Sequence, residues 1–413
     1  MSEGDHQQRA KTLPLDQMDV SDPVLYQADA WRPYFERLRR EAPLNYVANS
    51  PYGPYWAASA YHLIEAIELN SKVFSNRADL GGIQILDIPP EMNRPSFLLM
   101  DPPDHTGRRK VVKPMTNRQS LETFSSLIRE RTRTVLDELP RNEAFDWVDR
   151  VSTELTGMML ASMFDYPQAD RRKLIYWSEV ATANLNAPDA LVRTEEERYA
   201  ELQNMADTFA PLWRERTGGD NFDLITMLAN AEATANMDRE EFIGTLFLLL
   251  VGGNDTTRNS MSGGLMALQD NPQAWEQVRA DRSLVPAMVQ EMIRYQTPVI
   301  HMRRTALEDI ELEGQRIRKG DKVVVWYVSA NRDEDFFGDP EVFRIDRAKP
   351  HRHLAFGYGV HRCVGDRLAA LQIQVLWEEM LERDMRVEIV GEPERGFSNF
   401  IRGITRLPVK ITA

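Results

Sequence analysis

RHLAFGYGVHRCVGDRLA, residues 352–369, holds the single cysteine of a 413-residue chain, Cys363. Three glycines, Gly357, Gly359 and Gly365, and two histidines, His353 and His361, surround it. The segment that follows, DRLAALQIQVLWEEMLER, has the apolar spacing of a helix. A lone thiol forms no internal disulfide and fits a reducing compartment. Zinc asks for several ligands at regular spacing, and no second cysteine supplies them.

A thiolate can instead be an axial ligand to haem iron, where its electron donation favours O–O cleavage. Such a ligand needs backbone close to a flat macrocycle, and Gly357, Gly359 and Gly365 have no Cβ to obstruct it. Nearby amides tune the sulfur, the start of the next helix favours negative charge, and Phe356 shields it from water. Taken alone, Cys363 also fits a buried free thiol acting as a small hydrophobe, or a catalytic nucleophile.

The surrounding composition is that of a globular chain, 42% hydrophobic and 27% charged. A net charge of -13 argues against nucleic acid as the main partner. The N-terminus is polar, and the longest apolar run, TLFLLLV at 245–251, is too short to span a bilayer. These features predict a cytoplasmic protein without a membrane span. No linker-like stretch divides residues 1–413, so one domain is expected.

Residues 1–30 read as irregular. AWRPYFERLRREAP (30–43) and AYHLIEAIELN (60–70) read as short amphipathic helices. The glycine- and proline-rich segment 78–104 has no clear period, and an apolar loop of that length is usually functional. Helical patterns run from 105 to about 300. Strand texture follows in DIELEGQRIRKGDKVVVWYVSANRD (309–333) and in the tail 385–411. The fold class is mainly α with a smaller β portion.

Three further constellations carry chemistry. LLLVGGNDTTRNS (248–260) places two glycines and two threonines inside a helical pattern, at roughly 1 kcal/mol for each glycine. Thr256 can bond back to the carbonyl of Gly252 and open a notch. Leu248, Val251, Gly252, Asp255 and Thr256 then adjoin as apolar wall, gap, carboxylate and hydroxyl, an arrangement suited to oxygen binding with proton relay. A kinked core helix with Asp255 paired to Arg258 is the alternative. Glu291 and Arg294 stand at i and i+3 in EMIRYQ. His105, Arg109, Arg304 and His361 are donors of the kind that haem propionates want, and each alone also fits a solvated surface.

In this order, the stretches resemble the cytochrome P450 superfamily of haem-thiolate monooxygenases. FGYGVHRCVG fits its cysteine-loop pattern, GGNDTT its oxygen-activation pattern, EMIR its Glu-x-x-Arg pair and HTGRR its propionate site. FFGDPEVFRIDR resembles the segment whose arginine, here Arg347, joins the pair. The resemblance implies haem b, with Cys363 as the metal ligand and Phe356 and Gly252 against the cofactor. It implies His105, Arg109, Arg304 and His361 on the propionates, and Glu291, Arg294 and Arg347 as a structural ion network. Asp255 and Thr256 would deliver protons.

The acid–threonine pair favours dioxygen over peroxide, so electrons must come from a ferredoxin and an NAD(P)H-dependent ferredoxin reductase. Arg108, Lys110 and Lys113 offer that partner positive charge. LLLVGGNDTTRNSM, YQTPVIHMRRTA and VVVWYVSANRDE resemble the bacterial subgroup that hydroxylates terminal carbons of alkanes and fatty acids. Leu248, Val251, Ile300, Phe400 and GIQILDI (82–88) would line an apolar tube. A terpenoid or steroid monooxygenase, or a haem-thiolate sensor without turnover, are the alternatives.

Overall fold

The computed structural model describes residues 2–88 and 94–412. From Asp104 to Gln296 the regular elements are helices but for one short strand, as the apolar spacing predicts. Side chains start these helices in the expected way. Asn117, Thr194, Asp223 and Asp238 each accept a backbone N–H of the first turn, removing one of its unpaired donors. The longest helix, Arg239–Asp270, has 32 residues and is buried along much of its length. It packs against the helices Arg171–Thr182, Val285–Gln296 and Asp366–Glu382, so its residues have fixed neighbours on several sides.

The five-stranded sheet has the order Leu44–Val47, Tyr55–Ala58, Lys322–Val325, Met302–Ala306 and Phe74–Ser75. Tyr55–Ala58 and Lys322–Val325 pair in parallel and are buried at every position, which explains their continuous apolar texture. The tail forms short strands, as expected. Pro408–Ile411 lies between Ala144–Asp146 and Val387–Ile389, both antiparallel to it. The helical core closes around Trp147 and Trp377, stacked at 6.5 Å between ring centroids.

Two expectations need correction. Residues 1–30 are not irregular: Glu3–Thr12 is a helix, capped reciprocally by Ser2 and Asp5, and Pro23–Gln27 is another. The first has almost no apolar period because only His6 and Ala10 are buried on it. In the 309–333 segment, Tyr327–Ala330 is a helical turn rather than strand. Residues 89–93 of the expected 78–104 loop lie outside the described residues. Among the described residues, no helix is long and apolar enough to cross a membrane.

Candidate active site

The cysteine segment enters the start of helix Asp366–Glu382 as a tight loop. The Cys363 amide donates to the Phe356 carbonyl at 2.8 Å, closing a turn through Gly357 and Gly359, both with positive φ. A Cβ on Gly359 would strike the Glu68 carbonyl, so glycine is required there by conformation and by space. That differs from the sequence expectation that Gly359 clears a cofactor. Gly357 and Gly365, by contrast, do line the cavity described below.

Two buried networks hold this loop. On one side Glu68 takes Arg304 Nη2 at 2.5 Å, the Tyr327 hydroxyl at 2.9 Å and the Tyr358 amide at 3.1 Å. On the other side Asn331 accepts the Leu354 amide at 2.7 Å, while its own carbonyl accepts Arg294 Nη1 at 2.7 Å. Arg294 is in turn locked to Glu291 by bonds of 2.7 and 2.8 Å, and Arg347 reaches both Glu291 oxygens at 3.0 Å. Glu291, Arg294 and Arg347 thus form one network, as expected.

Cys363 is enclosed by protein, yet its side chain keeps open surface, because that surface faces an internal cavity. Burial pushes the thiol above its ordinary value, and a hydrogen bond from the Gly365 backbone opposes this. Across the cavity stands the long helix. Leu248, Val251, Gly252 and Thr256 all line it, and Thr256 Oγ1 donates to the Gly252 carbonyl at 3.0 Å. A Cβ on Gly252 would meet nothing, whereas one on Gly253 would strike Leu160. The first glycine makes the notch and the second seats the helix.

Asp255 departs from the expected wall. It is fully buried on the far side of the helix and does not line the cavity. Its carboxylate accepts from Thr182 Oγ1 at 3.1 Å, Asn254 Nδ2 at 2.9 Å and Arg258 Nη2 at 3.2 Å. Arg258 also reaches Glu179, whose side chain is 39% exposed, so the cluster runs from Asp255 to solvent. Burial pushes Asp255 up to about 6, with Arg258 opposing and Glu179 assisting. The pairing with Arg258 is real, and it coexists with a notch.

The cationic set divides. His105 and His361 are buried, with ring centroids 4.4 Å apart, and none of their ring nitrogens has a partner. Arg109 lines the cavity beside His361, and its only hydrogen bond is to the Arg362 carbonyl at 2.5 Å. Burial lowers Arg109 and both histidines below their ordinary values. Arg304 is different: it is buried against Glu68 and does not line the cavity. Arg108 is likewise spoken for by Glu241, which leaves Lys110 and Lys113 as the exposed cations of the expected patch.

The remaining walls are apolar and come from Ile83, Phe97, Leu98, Val299, Met302, Phe400 and Ile401. Ile300 is a correction: it is fully buried in the core behind the wall, and its neighbour Val299 faces the cavity. Val299 bridges Ile401 as an isolated pair ahead of the strand Met302–Ala306, a long-range pairing that the local pattern does not show. Among the described residues, Arg109 and His361 are the only cavity-lining groups able to carry positive charge, and no carboxylate lines the cavity.

A thiol on one face, an apolar chamber on the other and unpartnered nitrogen donors at the edge fit a flat apolar metal complex with anionic side groups. Glu68, Asn331 and Thr182 were not singled out from the sequence. Only Glu68 carried a signal, a carboxylate four residues after Ile64 on the buried face of its helix.

The cytochrome P450 family model matches residues 58–395. A solved structure, cytochrome P450-153 from Novosphingobium aromaticivorans, superposes with a TM-score of 0.90 at 45% identity, covering 96% of this chain and 99% of that one. Linalool 8-monooxygenase of Pseudomonas putida is 34% identical over 406 residues, 96% of this chain and 99% of the relative. A methyl-branched lipid omega-hydroxylase of Mycobacterium bovis is 31% identical over 427 residues, 97% of each.

Proposed function

The chain belongs to the cytochrome P450 family and is a haem b monooxygenase; from that premise we propose that it hydroxylates the terminal carbon of medium-chain alkanes and fatty acids. Electrons come from a ferredoxin and its NAD(P)H-dependent reductase. The observation that carries the reading is the mainly apolar chamber between Cys363 and the notch at Gly252, whose cations among the described residues, Arg109 and His361, both serve the cofactor. Identity of 45% to a P450-153 and the relative named as a lipid omega-hydroxylase support it.

When bound, haem supplies the reduction of dioxygen and the insertion of one oxygen atom into a C–H bond. The chain does the rest. Cys363 holds the iron, and the start of helix Asp366–Glu382 favours its negative charge. His105, His361 and Arg109 receive the propionates, which gives their unpartnered nitrogens acceptors. Arg304 stays with Glu68 and acts on the loop rather than on the cofactor. The exposed Lys110 and Lys113 offer an acidic ferredoxin positive charge.

The Thr256 hydroxyl stands at the notch as the local proton donor, and Asp255 behind it is the acid that resupplies it, in a cluster that reaches solvent at Glu179 with Arg258 as its fixed cation. Asp255→Asn is therefore expected to lower turnover by about a hundredfold, the scale of a lost positioned acid or base. It should also unfold no more easily than the parent at neutral pH. Folding raises the Asp255 value to about 6, so the carboxyl contributes most when protonated, and that contribution fades as pH rises toward 6. Urea unfolding beside product assays reads both effects; a variant that turns over normally removes Asp255 from proton delivery.

A terminal C–H bond is stronger than its neighbours, so end-selectivity must come from a pocket that presents only the chain end. One methylene is worth about 1–3 kcal/mol in such a pocket, so several chain lengths are accepted. With Arg109 and His361 engaged, no lining cation among the described residues remains for a carboxylate. Octane and decane should exceed the matching fatty acids in kcat/KM, with the terminal alcohol as main product. Linalool tests the terpenoid reading, which the 34% identity to linalool 8-monooxygenase favours. Dominant in-chain alcohols from alkanes, or turnover of linalool alone, would reject the terminal assignment.

A further inference from the structure

His301 is fully buried and lies one residue from the chamber wall, which it does not itself line. Its two ring nitrogens both bond to backbone, on two different loops. Nδ1 lies 2.8 Å from the Asn399 carbonyl, and Nε2 lies 3.1 Å from the Ile85 amide. A carbonyl can only accept and an amide can only donate. The ring must therefore carry its proton on Nδ1 and present a bare Nε2.

The ring is also packed, 4.9 Å from Trp326 and 5.5 Å from Phe400 between centroids. Burial lowers His301 to about 4, in keeping with a neutral ring. The loops it joins both face the chamber: Ile83 and Gln84 precede Ile85, and Phe400 and Ile401 follow Asn399. Other bonds tie each loop to the strand Met302–Ala306 or its approach. Arg303 donates its amide to the Ile83 carbonyl at 2.7 Å, and Ile300 donates to the Phe400 carbonyl at 2.9 Å. His301 spans from one loop to the other through a single rigid ring.

We propose that His301 is a positioning residue for regioselectivity: its ring fixes the separation of the 83–88 and 399–401 loops and so the width of the chamber that guides the chain end. This rests on the reading of the chamber as the site of hydroxylation. It touches neither substrate nor cofactor. Without the ring the Ile85 amide loses its acceptor, while Lys322 Nζ still holds the Ile85 carbonyl at 2.9 Å. The wall segment therefore pivots outward rather than detaching, and a wider passage admits bent chains whose inner carbons reach the reacting position.

The test separates the two bonds. His301→Asn keeps an N–H at the Nδ1 position for Asn399 but cannot reach Ile85. His301→Gln keeps an acceptor at the Nε2 position for Ile85 and gives up Asn399, which Ser21 still anchors through a 2.7 Å bond from Asn399 Nδ2. With decane and the reconstituted holoenzyme, the ratio of in-chain to terminal alcohol should rise about fivefold in the asparagine variant, the scale of one hydrogen bond. The glutamine variant should stay near the parent. Loss of folded protein lowers total product but not this ratio, so a merely structural role would leave it unchanged.

A parental ratio in the asparagine variant overturns the proposal, as does an equal shift in both variants. If the parent itself makes mostly in-chain alcohols, the terminal reading fails. The His301 inference is then read from whether the distribution among those positions shifts in the asparagine variant alone.

Discussion

Cys363→Ser is expected to abolish the red-shifted Soret band of the reduced, carbon-monoxide-bound protein and to cut alcohol formation by more than about a hundredfold. The bound is a minimum, since losing a partner outside the metal's own ligands already costs 10–100-fold in comparable sites. A serine hydroxyl has the right size for the loop and keeps the Cys363 amide bond to Phe356, so the fold should survive. What it lacks is a polarisable anion at ordinary pH. The loop partly offsets the burial that disfavours that anion: the Gly365 backbone bonds the sulfur, and Arg109 and Arg362 stand near it against the opposing charge of Asp366. Retained thiolate-type absorption with undiminished product would remove Cys363 from the metal.

The second large effect lies away from the chemistry. Arg294→Ala should yield little folded holoprotein, with a loss of about 3–5 kcal/mol against a total of about 5–15. Arg294 and Glu291 are both 1% exposed, so the deletion removes one of the two cations that neutralise a carboxylate with no water to solvate it. Arg347 remains on Glu291, but the Asn331 carbonyl loses its arginine donor, at 2.7 Å in the parent, and the Pro340 carbonyl keeps only Arg332. Asn331 holds Leu354 and thereby the approach to Phe356, so haem retention should fall with stability. Arg347→Lys is the milder companion. It keeps charge beside Glu291 while losing most of the bonds to Phe337, Asp339 and Val342, and should shift the urea midpoint without preventing folding. An alanine variant that folds and holds haem normally would show the network to be dispensable.

Much of this architecture was legible because it repeats a short-range rule. The long helix, the helix after Cys363 and the network at Glu291 and Arg294 all follow from spacing, and FGYGVHRCVG located the thiol among its glycines. Misreadings came where partners lie far apart in sequence. Arg304 looks like a free donor until Glu68, 236 residues away, takes it. Asp255 was placed on the chamber wall because a helical wheel gives a direction but not a neighbour; Thr182 and Arg258 draw it to the opposite side. Ile300 missed by one position because its neighbour Val299 is the residue that bridges Ile401, a partner far along the chain. The helix Glu3–Thr12 was invisible for another reason. It buries too little to show a period, and its start is set by the reciprocal bonds of Ser2 and Asp5.

Among the described residues few ionic groups line the chamber, Arg109 and His361 being the exceptions, and this bears on how a catalytic cycle ends. An alkane enters such a space gladly and leaves it as an alcohol, a molecule that now wants hydration the walls offer at few points. Polar side chains such as Thr256, Thr257, Ser260, Gln84 and Gln372 are outnumbered there by apolar ones. Departure is therefore favoured over a second oxidation, and the same decane assay would register the opposite as aldehyde or acid. The greasiness that draws the fuel inward is also what turns the product out.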